Sequence, residues 1–141
     1  MHIHHLVIGL VGIKEVIPSL VSEADNLMLS MMPTHKLIHS IVFDMDPNSA
    51  PGLDGLTGHL FCSCWDIIGL DLCHAVRSFF ATGSLFSGLN SNLMVLIPKV
   101  LGANSMNKLC PIILSNFIFK IITRILADRL TNISSKIIST N

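Results

Sequence analysis

The chain has 141 residues, 50% of them hydrophobic and only 13% charged, with a formal net charge of zero. This length suits one domain, and the composition excludes intrinsic disorder, which needs low hydrophobicity and a high net charge. A chain this apolar is expected to expose core surface that something else covers, so we interpret it as a fragment of a larger protein.

The charges are distributed unevenly along the chain. Residues 1–90 hold three Lys or Arg against eight Asp or Glu, a net charge of −5, whereas residues 91–141 hold six against one, a net charge of +5. A basic C-terminal third is compatible with a polyanionic partner. An acidic part that packs against a basic part explains the same charges, so both interpretations stay open.

The lack of a predicted membrane span or secretory signal, together with the cysteine pattern, favours an intracellular location, either nuclear or cytoplasmic. No apolar stretch reaches the roughly 20 residues that a bilayer requires, so no membrane span is predicted. The apolar run near Met1 lacks a basic n-region and a cleavage site, which argues against a secretory signal. Cys62 and Cys64 point to different faces of a predicted helix, so the four cysteines are predicted to be reduced thiols rather than a disulfide framework.

The first half of the chain predicts two helices joined by a turn. Residues 1–33 show no clean period and are predicted to be irregular, apart from a candidate strand at Leu6 to Ile13. Thr34 to Asp46 has apolar residues at helical spacing, with Thr34 as the N-cap. Asn48 to Gly55 predicts a turn whose Asp54 caps the next helix. That helix carries one apolar stripe from Phe61 to about Ala81, and Gly83 is its candidate C-cap.

The second half predicts a β-hairpin and a last helix. Leu93–Ile97 and Cys110–Leu114 are short apolar runs on either side of a long loop, which is typical of a hairpin. The last helix places isoleucines on one face and the row of Lys120, Arg124 and Asp128 on another. The predicted fold class is α+β, mostly helical with one β-hairpin.

Two clusters have residue types suited to metal chemistry. His59, Cys62, Cys64, Cys73 and His74 are zinc donors, but they fall in one helical segment rather than in two separated knuckles, so buried thiols and a surface histidine are favoured. Asp44 and Asp46 face apart on a helix, which favours surface solvation over a shared metal pair. No nucleophile elbow and no P-loop occurs, so the residues themselves indicate no catalyst.

Three features carry groups that bind phosphates without reading bases. They are the Pro51–Gly55 turn beside a helix start, Lys99 at a strand end, and the basic row of the last helix. An ordinary turn and a solvated helix face explain each of them separately.

Four segments of the sequence, taken in order, resemble one family. They are the turn D-P-N-S-A-P-G-L-D-G (Asp46–Gly55), L-I-P-K (Leu96–Lys99), C-P-I-I-L-S-N (Cys110–Asn116), and F-K-I-I with L-A-D-R-L in the last helix. They resemble the N-terminal motifs of reverse transcriptases of plant non-LTR (LINE-type) retrotransposons: S-A-P-G-P-D-G, L-I-P-K, R-P-I-x-L-x-N, Y-K-I and L-A-x-R-L. The resemblance covers residues 17–141, a partial reverse transcriptase domain, and leaves residues 1–16 as an irregular N-terminal extension.

The resemblance implies the fingers subdomain, which holds the template and closes over the incoming nucleotide. It implies an RNA template and a DNA primer as partners of the intact family, and magnesium on palm aspartates that are expected beyond position 141. We therefore expect no catalytic residue, no metal site and no cofactor in this chain. The residues expected to contact the template or nucleotide phosphates are Gly52, Asp54, Gly55, Lys99, Lys120, Arg124 and Arg129.

Two departures and the missing palm lead us to expect an inactive piece of an RNA-directed DNA polymerase. Leu53 stands where the family has its second proline, and Cys110 stands where it has an arginine that could clamp phosphate. Nucleic-acid binding is expected to be weak and non-specific. The alternative function is a non-catalytic helical protein-interaction module.

Lack of the palm also implies unpartnered apolar faces. We expect the absent palm domain, or a second copy of the chain by self-association, to cover these faces, and we expect aggregation or a molten state without such cover. The residues expected to be exposed are Ile121, Ile122, Ile125 and Leu126 of the last helix, and Val95 and Ile97 of the hairpin.

Overall fold

A computed structural model describes residues 20–138, and in this part of the chain the α+β prediction is confirmed. The candidate strand at Leu6 to Ile13 lies outside the described residues. The helices are α1 (Glu23–Ser30), α2 (His35–Asp44), α3 (Gly58–Ser63), α4 (Trp65–Thr82) and α5 (Phe117–Ile137). The strands are β1 (Asn92–Pro98) and β2 (Leu109–Ser115), joined by a loop with a short 3-10 turn at Met106–Lys108.

The described residues fall into two compact units. The larger one is Met31–Ala127, and the smaller one combines residues 20–30 with residues 128–138. No helix within residues 20–138 is long and apolar enough to cross a membrane.

The core of the larger unit lies among α2, α3, α4 and the first half of α5. Ile38 and Val42 of α2 and Val76 of α4 are fully buried there, and the ring of Phe61 stacks on that of Phe117 with 4.8 Å between centroids. Burial of such side chains contributes about 1.5 to 3 kcal/mol each relative to exposure. Of the four motif segments, only the one in α5 contributes side chains to this core.

The expectation that the last helix exposes its apolar face is wrong. Ile121, Ile122 and Ile125 are 0%, 1% and 1% exposed, and Leu126 is half-buried. Residues of α2 and α4 form one core with them, so the chain itself supplies the cover that we attributed to a palm domain.

Two of the three predicted helix caps are present in the structure. Thr34 is the N-cap of α2, as predicted, and its hydroxyl accepts a hydrogen bond from the Leu37 N–H at 3.2 Å. Gly83 ends α4 with a φ of 68°, a conformation that favours glycine. Asp54 is not a helix cap, because its carboxylate accepts from the Leu56 N–H at 3.0 Å and α3 starts only after Thr57.

The predicted long helix is two helices, α3 and α4. The backbone leaves helical geometry at Cys64, where φ is −103° and ψ is 17°. Phe61 before the break and Leu72 after it both belong to the core. The apolar period therefore continues across the break, and periodicity cannot reveal it.

Helix α1 lies in a stretch that we predicted to be irregular. The Ser22 N–H donates to the Asp25 carboxylate at 2.9 Å, and the Asp25 N–H donates to the Ser22 hydroxyl at 3.2 Å. This reciprocal pair is a capping box with Asp in place of Glu. Ser22-x-x-Asp25 is thus the sequence signal that would have found α1.

Two cations join α1 to the end of α5 within the smaller unit. The Lys136 ammonium donates to both carboxylate oxygens of Asp25, at 2.8 and 2.9 Å. The Arg129 guanidinium donates to the Leu29 carbonyl at 2.8 Å. These bonds link residues about a hundred positions apart in the sequence.

Acid is expected to weaken the smaller unit through Asp25. Hydrogen bonds from Lys136 and then from Ser22 lower the pKa of Asp25 from 3.8 to about 2. Because the folded-state pKa is depressed, the stabilisation is fully present above the unfolded value and is lost as the pH falls through about 2. An NMR titration of the Asp25 carboxyl should show this low pKa, and Lys136→Met should move it back towards 3.8. A titration unchanged by Lys136→Met would contradict this explanation.

The predicted hairpin is confirmed. Its antiparallel register runs from Asn92 opposite Ser115 to Pro98 opposite Leu109. All seven residues of β1 are exposed, and Val95 and Ile97 keep 36% and 44% of their surface accessible, as expected. The hairpin therefore exposes apolar surface, as expected, whereas the isoleucine face of the last helix is covered.

Candidate functional site

Asn116 connects two of the motif segments. It lies between β2 and α5, is 6% exposed, and accepts a hydrogen bond from the Asp54 N–H at 3.3 Å. Its amide group donates to the carbonyls of Gly88 and Leu89 at 3.2 and 3.4 Å. One side chain thereby holds the Pro51–Gly55 turn and the loop before β1 against the start of α5.

Gly52 allows this close approach. A Cβ at this position would overlap the side chain and backbone nitrogen of Asn116 and would lie 2.6 Å from the Ser115 carbonyl carbon. The turn closes through a hydrogen bond from the Gly55 N–H to the Gly52 carbonyl at 3.2 Å, and Gly55 has a φ of 71°. The two glycines thus have different roles, since Gly52 provides space and Gly55 provides a positive φ.

Lys120 ties the same turn to α5. Its ammonium donates to the Ala50 carbonyl at 2.6 Å and lies 3.5 Å from the Ser49 hydroxyl. A lysine expected to contact phosphate is therefore engaged with the protein backbone. The turn is held from one side by Asn116 and from another by Lys120.

The remaining motif segment joins this assembly through the hairpin. Leu96 lies opposite Pro111 and Ile97 opposite Cys110, so the L-I-P-K segment pairs directly with the segment that ends at Asn116. All four motif segments therefore contact at least one other. The structure brings Gly52, Asp54, Gly55 and Lys120 together around the turn.

Lys99 lies at the loop end of the hairpin beside a lysine that the sequence analysis did not select. The Lys99 N–H donates to the Lys108 carbonyl at 2.8 Å, and both side chains are exposed. Their ammonium groups make long hydrogen bonds to Asn107 and Asn104, at 3.4 and 3.2 Å. The hairpin register would have identified Lys108, because it places these two residues opposite each other one step beyond Pro98 and Leu109.

The other two predicted cations lie elsewhere. Arg124 is on the exposed side of α5, with its guanidinium 3.8 Å from the Asp44 carboxylate. Arg129 belongs to the smaller unit, where it is 8% exposed, and burial lowers the pKa of its guanidinium.

An aromatic cluster at the surface was missed by the sequence analysis. The His39 ring stacks on Phe43 with 4.3 Å between centroids and meets Trp65 edge-on at 4.8 Å. The rings of His39 and Trp65, together with Lys36 and Gly69, border an open groove of about 530 Å³. The i, i+4 spacing of His39 and Phe43 on α2 was the available sequence signal.

The cysteines are free thiols, and within residues 20–138 no three His, Cys, Asp or Glu side chains are grouped so that they could hold a metal ion. Burial raises the pKa of the Cys73 thiol, with Arg77 opposing the shift. A raised pKa keeps the thiol protonated and unreactive at neutral pH.

Comparison with known proteins gives one partial similarity. No protein-family model matches the chain. A stretch of 94 residues, 67% of the chain, is 29% identical to the "Transposon TX1 uncharacterized 149 kDa protein" of Xenopus laevis. The match spans 7% of that relative, so the chain corresponds to a small part of its length. The chain is therefore similar to part of a transposon protein.

Proposed function

We propose that the chain contributes the fingers part of a retrotransposon reverse transcriptase, an RNA-directed DNA polymerase of the LINE type. The observation that carries this proposal is the assembly around Asn116. Segments that resemble the family's motifs meet there, although Asp54 and Asn116 are 62 residues apart. The similarity to a transposon protein supports the same origin.

The proposed role of this part is to contact nucleic-acid phosphates. Residues 72–127 contain no Asp or Glu, and they include Lys99 and Lys108 at the exposed end of the hairpin. Two ammonium groups without a nearby acid on the same hairpin attract a polyanion and read no base. The Gly52–Gly55 turn, fixed by Asn116 and Lys120, supplies a rigid support beside the hairpin.

The proposal assigns no magnesium to residues 20–138, where no three His, Cys, Asp or Glu side chains are grouped together. The proposed contribution is to bind and position the template or nucleotide.

RNA binding is expected to be sequence-blind and strongly dependent on salt. If about three phosphates of a single-stranded RNA are neutralised, affinity should fall about 20-fold between roughly 50 and 200 mM salt. Fluorescence anisotropy with two RNAs of equal length and different sequence measures both properties. Equal affinity at the two salt concentrations, or a strong preference for one sequence, would contradict the proposal.

Variants separate the phosphate contacts from structural lysines. Lys99→Ala and Lys108→Ala should each weaken RNA binding and reduce the salt slope by about 0.7, with little change in stability. Lys36→Ala, on the exposed surface of α2, is the matched control and should change binding less. Lys120→Met should instead lower stability, because the Ala50 carbonyl loses its donor.

The alternative function, a non-catalytic protein-interaction module, is favoured by the apolar surface of the hairpin. Met94 and Ile113 are 63% and 58% exposed. If Lys36→Ala weakened RNA binding as much as the two hairpin substitutions did, the hairpin lysines would not be the contact site and this alternative would be preferred.

A further inference from the structure

The outer edge of β1 carries backbone groups that point away from β2. The Lys99 N–H bonds to the Lys108 carbonyl, one step beyond the pair of Pro98 and Leu109. Because bonded and non-bonded pairs alternate along an antiparallel ladder, Leu93, Val95 and Ile97 bond to β2. The N–H and C=O groups of Asn92, Met94 and Leu96 therefore point outward, and no hydrogen bond within residues 20–138 is described for them.

The outer edge of β2 differs from that of β1. By the same alternation, Pro111 lies at an outward position of β2, where it has no N–H to donate. Strand β1 has its proline only at the last position, Pro98, and neither strand has a charged side chain. Charges and prolines are the usual devices that prevent a sheet edge from pairing with another chain, and the edge from Asn92 to Leu96 has neither.

We propose that a second copy of this chain pairs with the β1 edge. The antiparallel register that satisfies every outward group places Met94 opposite the same methionine of the second copy and Asn92 opposite Leu96. A twofold rotation that exchanges the two copies leaves this register unchanged, as a symmetric dimer requires. The register forms about six main-chain hydrogen bonds. The product is a four-stranded sheet in the order β2, β1, β1, β2.

Side chains and charge favour a second copy as the partner. In this register Leu93 lies opposite Val95 of the other copy on one face, where the two residues are 42% and 36% exposed in the single chain. The strands bring no charge to the contact, and the formal net charge of the chain is zero, so two copies do not repel each other. The contact is limited to one seven-residue strand of each copy, which places it at the small end of specific protein interfaces. The dimer is therefore expected to be weak and to dissociate on dilution.

A matched pair of proline substitutions tests the edge. Met94 and Ile113 are register partners, both mostly exposed and both at outward positions. Met94→Pro removes the central N–H of the β1 edge, whereas Ile113→Pro removes an N–H from the β2 edge. Pro111 shows that the hairpin accommodates a proline at an outward position. Sedimentation velocity should show a concentration-dependent dimer for the wild type and Ile113→Pro, and a monomer for Met94→Pro.

Disulfide trapping gives a second measurement that does not depend on proline. In a Cys110→Ser background, Met94→Cys places two thiols directly opposite each other, with Cα atoms about 5.5 Å apart, within the range of a disulfide. We expect Met94→Cys to form covalent dimers under mild oxidation and Ile113→Cys to form far fewer. A wild-type chain that stays monomeric at every concentration, a Met94→Pro dimer, or equal trapping at both positions would overturn the proposal.

Discussion

Gly52→Ala is expected to destabilise the larger unit by about 3 kcal/mol. The new Cβ would overlap backbone atoms of Ser115 and Asn116, and backbone atoms cannot rotate away as a flexible side chain can. Relief requires the turn and the start of α5 to separate, which would lengthen the Asp54 to Asn116 hydrogen bond. Urea unfolding followed by circular dichroism measures the loss.

Gly55→Ala is the control in the same turn. Gly55 has a φ of 71° and nothing within 4 Å of an added Cβ, so its substitution meets only backbone strain. That strain costs about 1 kcal/mol. If Gly52→Ala were no more destabilising than Gly55→Ala, the close approach of the turn to Asn116 would not exist in solution.

This difference between the two glycines shows what the sequence can predict. Pro-Gly and Asp-Gly pairs indicate a turn, and the structure has one at Pro51–Gly55. The role of Gly52 depends on Asn116, which local chain chemistry cannot identify. Local signals predict local conformation, and the packing partner becomes visible only in three dimensions.

The helices also differ in how well the sequence predicts them. Apolar periodicity predicted α2 and α5 well, because the residues it selected, such as Ile38 and Ile121, are fully buried. Helix α1 was missed because it has no buried residue and so no apolar period; its signal is the Ser22 and Asp25 cap. Periodicity therefore detects helices that face a core and overlooks helices held by polar ends.

Charge alone does not separate phosphate contacts from structural bonds in the candidate site. Lys120 and Arg129 were selected as cations for phosphate, yet each donates to a backbone carbonyl of this chain. A basic residue type does not distinguish a ligand contact from a structural bond, because both need the same donor. Lys99 and Lys108 remain the better candidates, since they are exposed and lie side by side at the hairpin end.

Asn116→Ala is expected to cost about 3 kcal/mol of stability. Asn116 is 6% exposed, and the truncation leaves the Asp54 N–H and the carbonyls of Gly88 and Leu89 without their partner. A buried donor or acceptor without a partner costs about 1 to 3 kcal/mol. Since Lys120 holds the same turn, the loss in Asn116→Ala combined with Lys120→Met should differ from the sum of the single losses by about 1 kcal/mol.

Asn116→Asp tests which half of the amide matters. The new carboxylate can still accept from the Asp54 N–H, but its second oxygen would face the Gly88 and Leu89 carbonyls as another acceptor. Burial beside these carbonyls should raise the pKa of the new carboxyl, and the protonated form can donate to one of them. We therefore expect Asn116→Asp to regain stability relative to the wild type as the pH falls from about 7 to 5. A deficit that does not change with pH would show that the two carbonyl contacts contribute nothing.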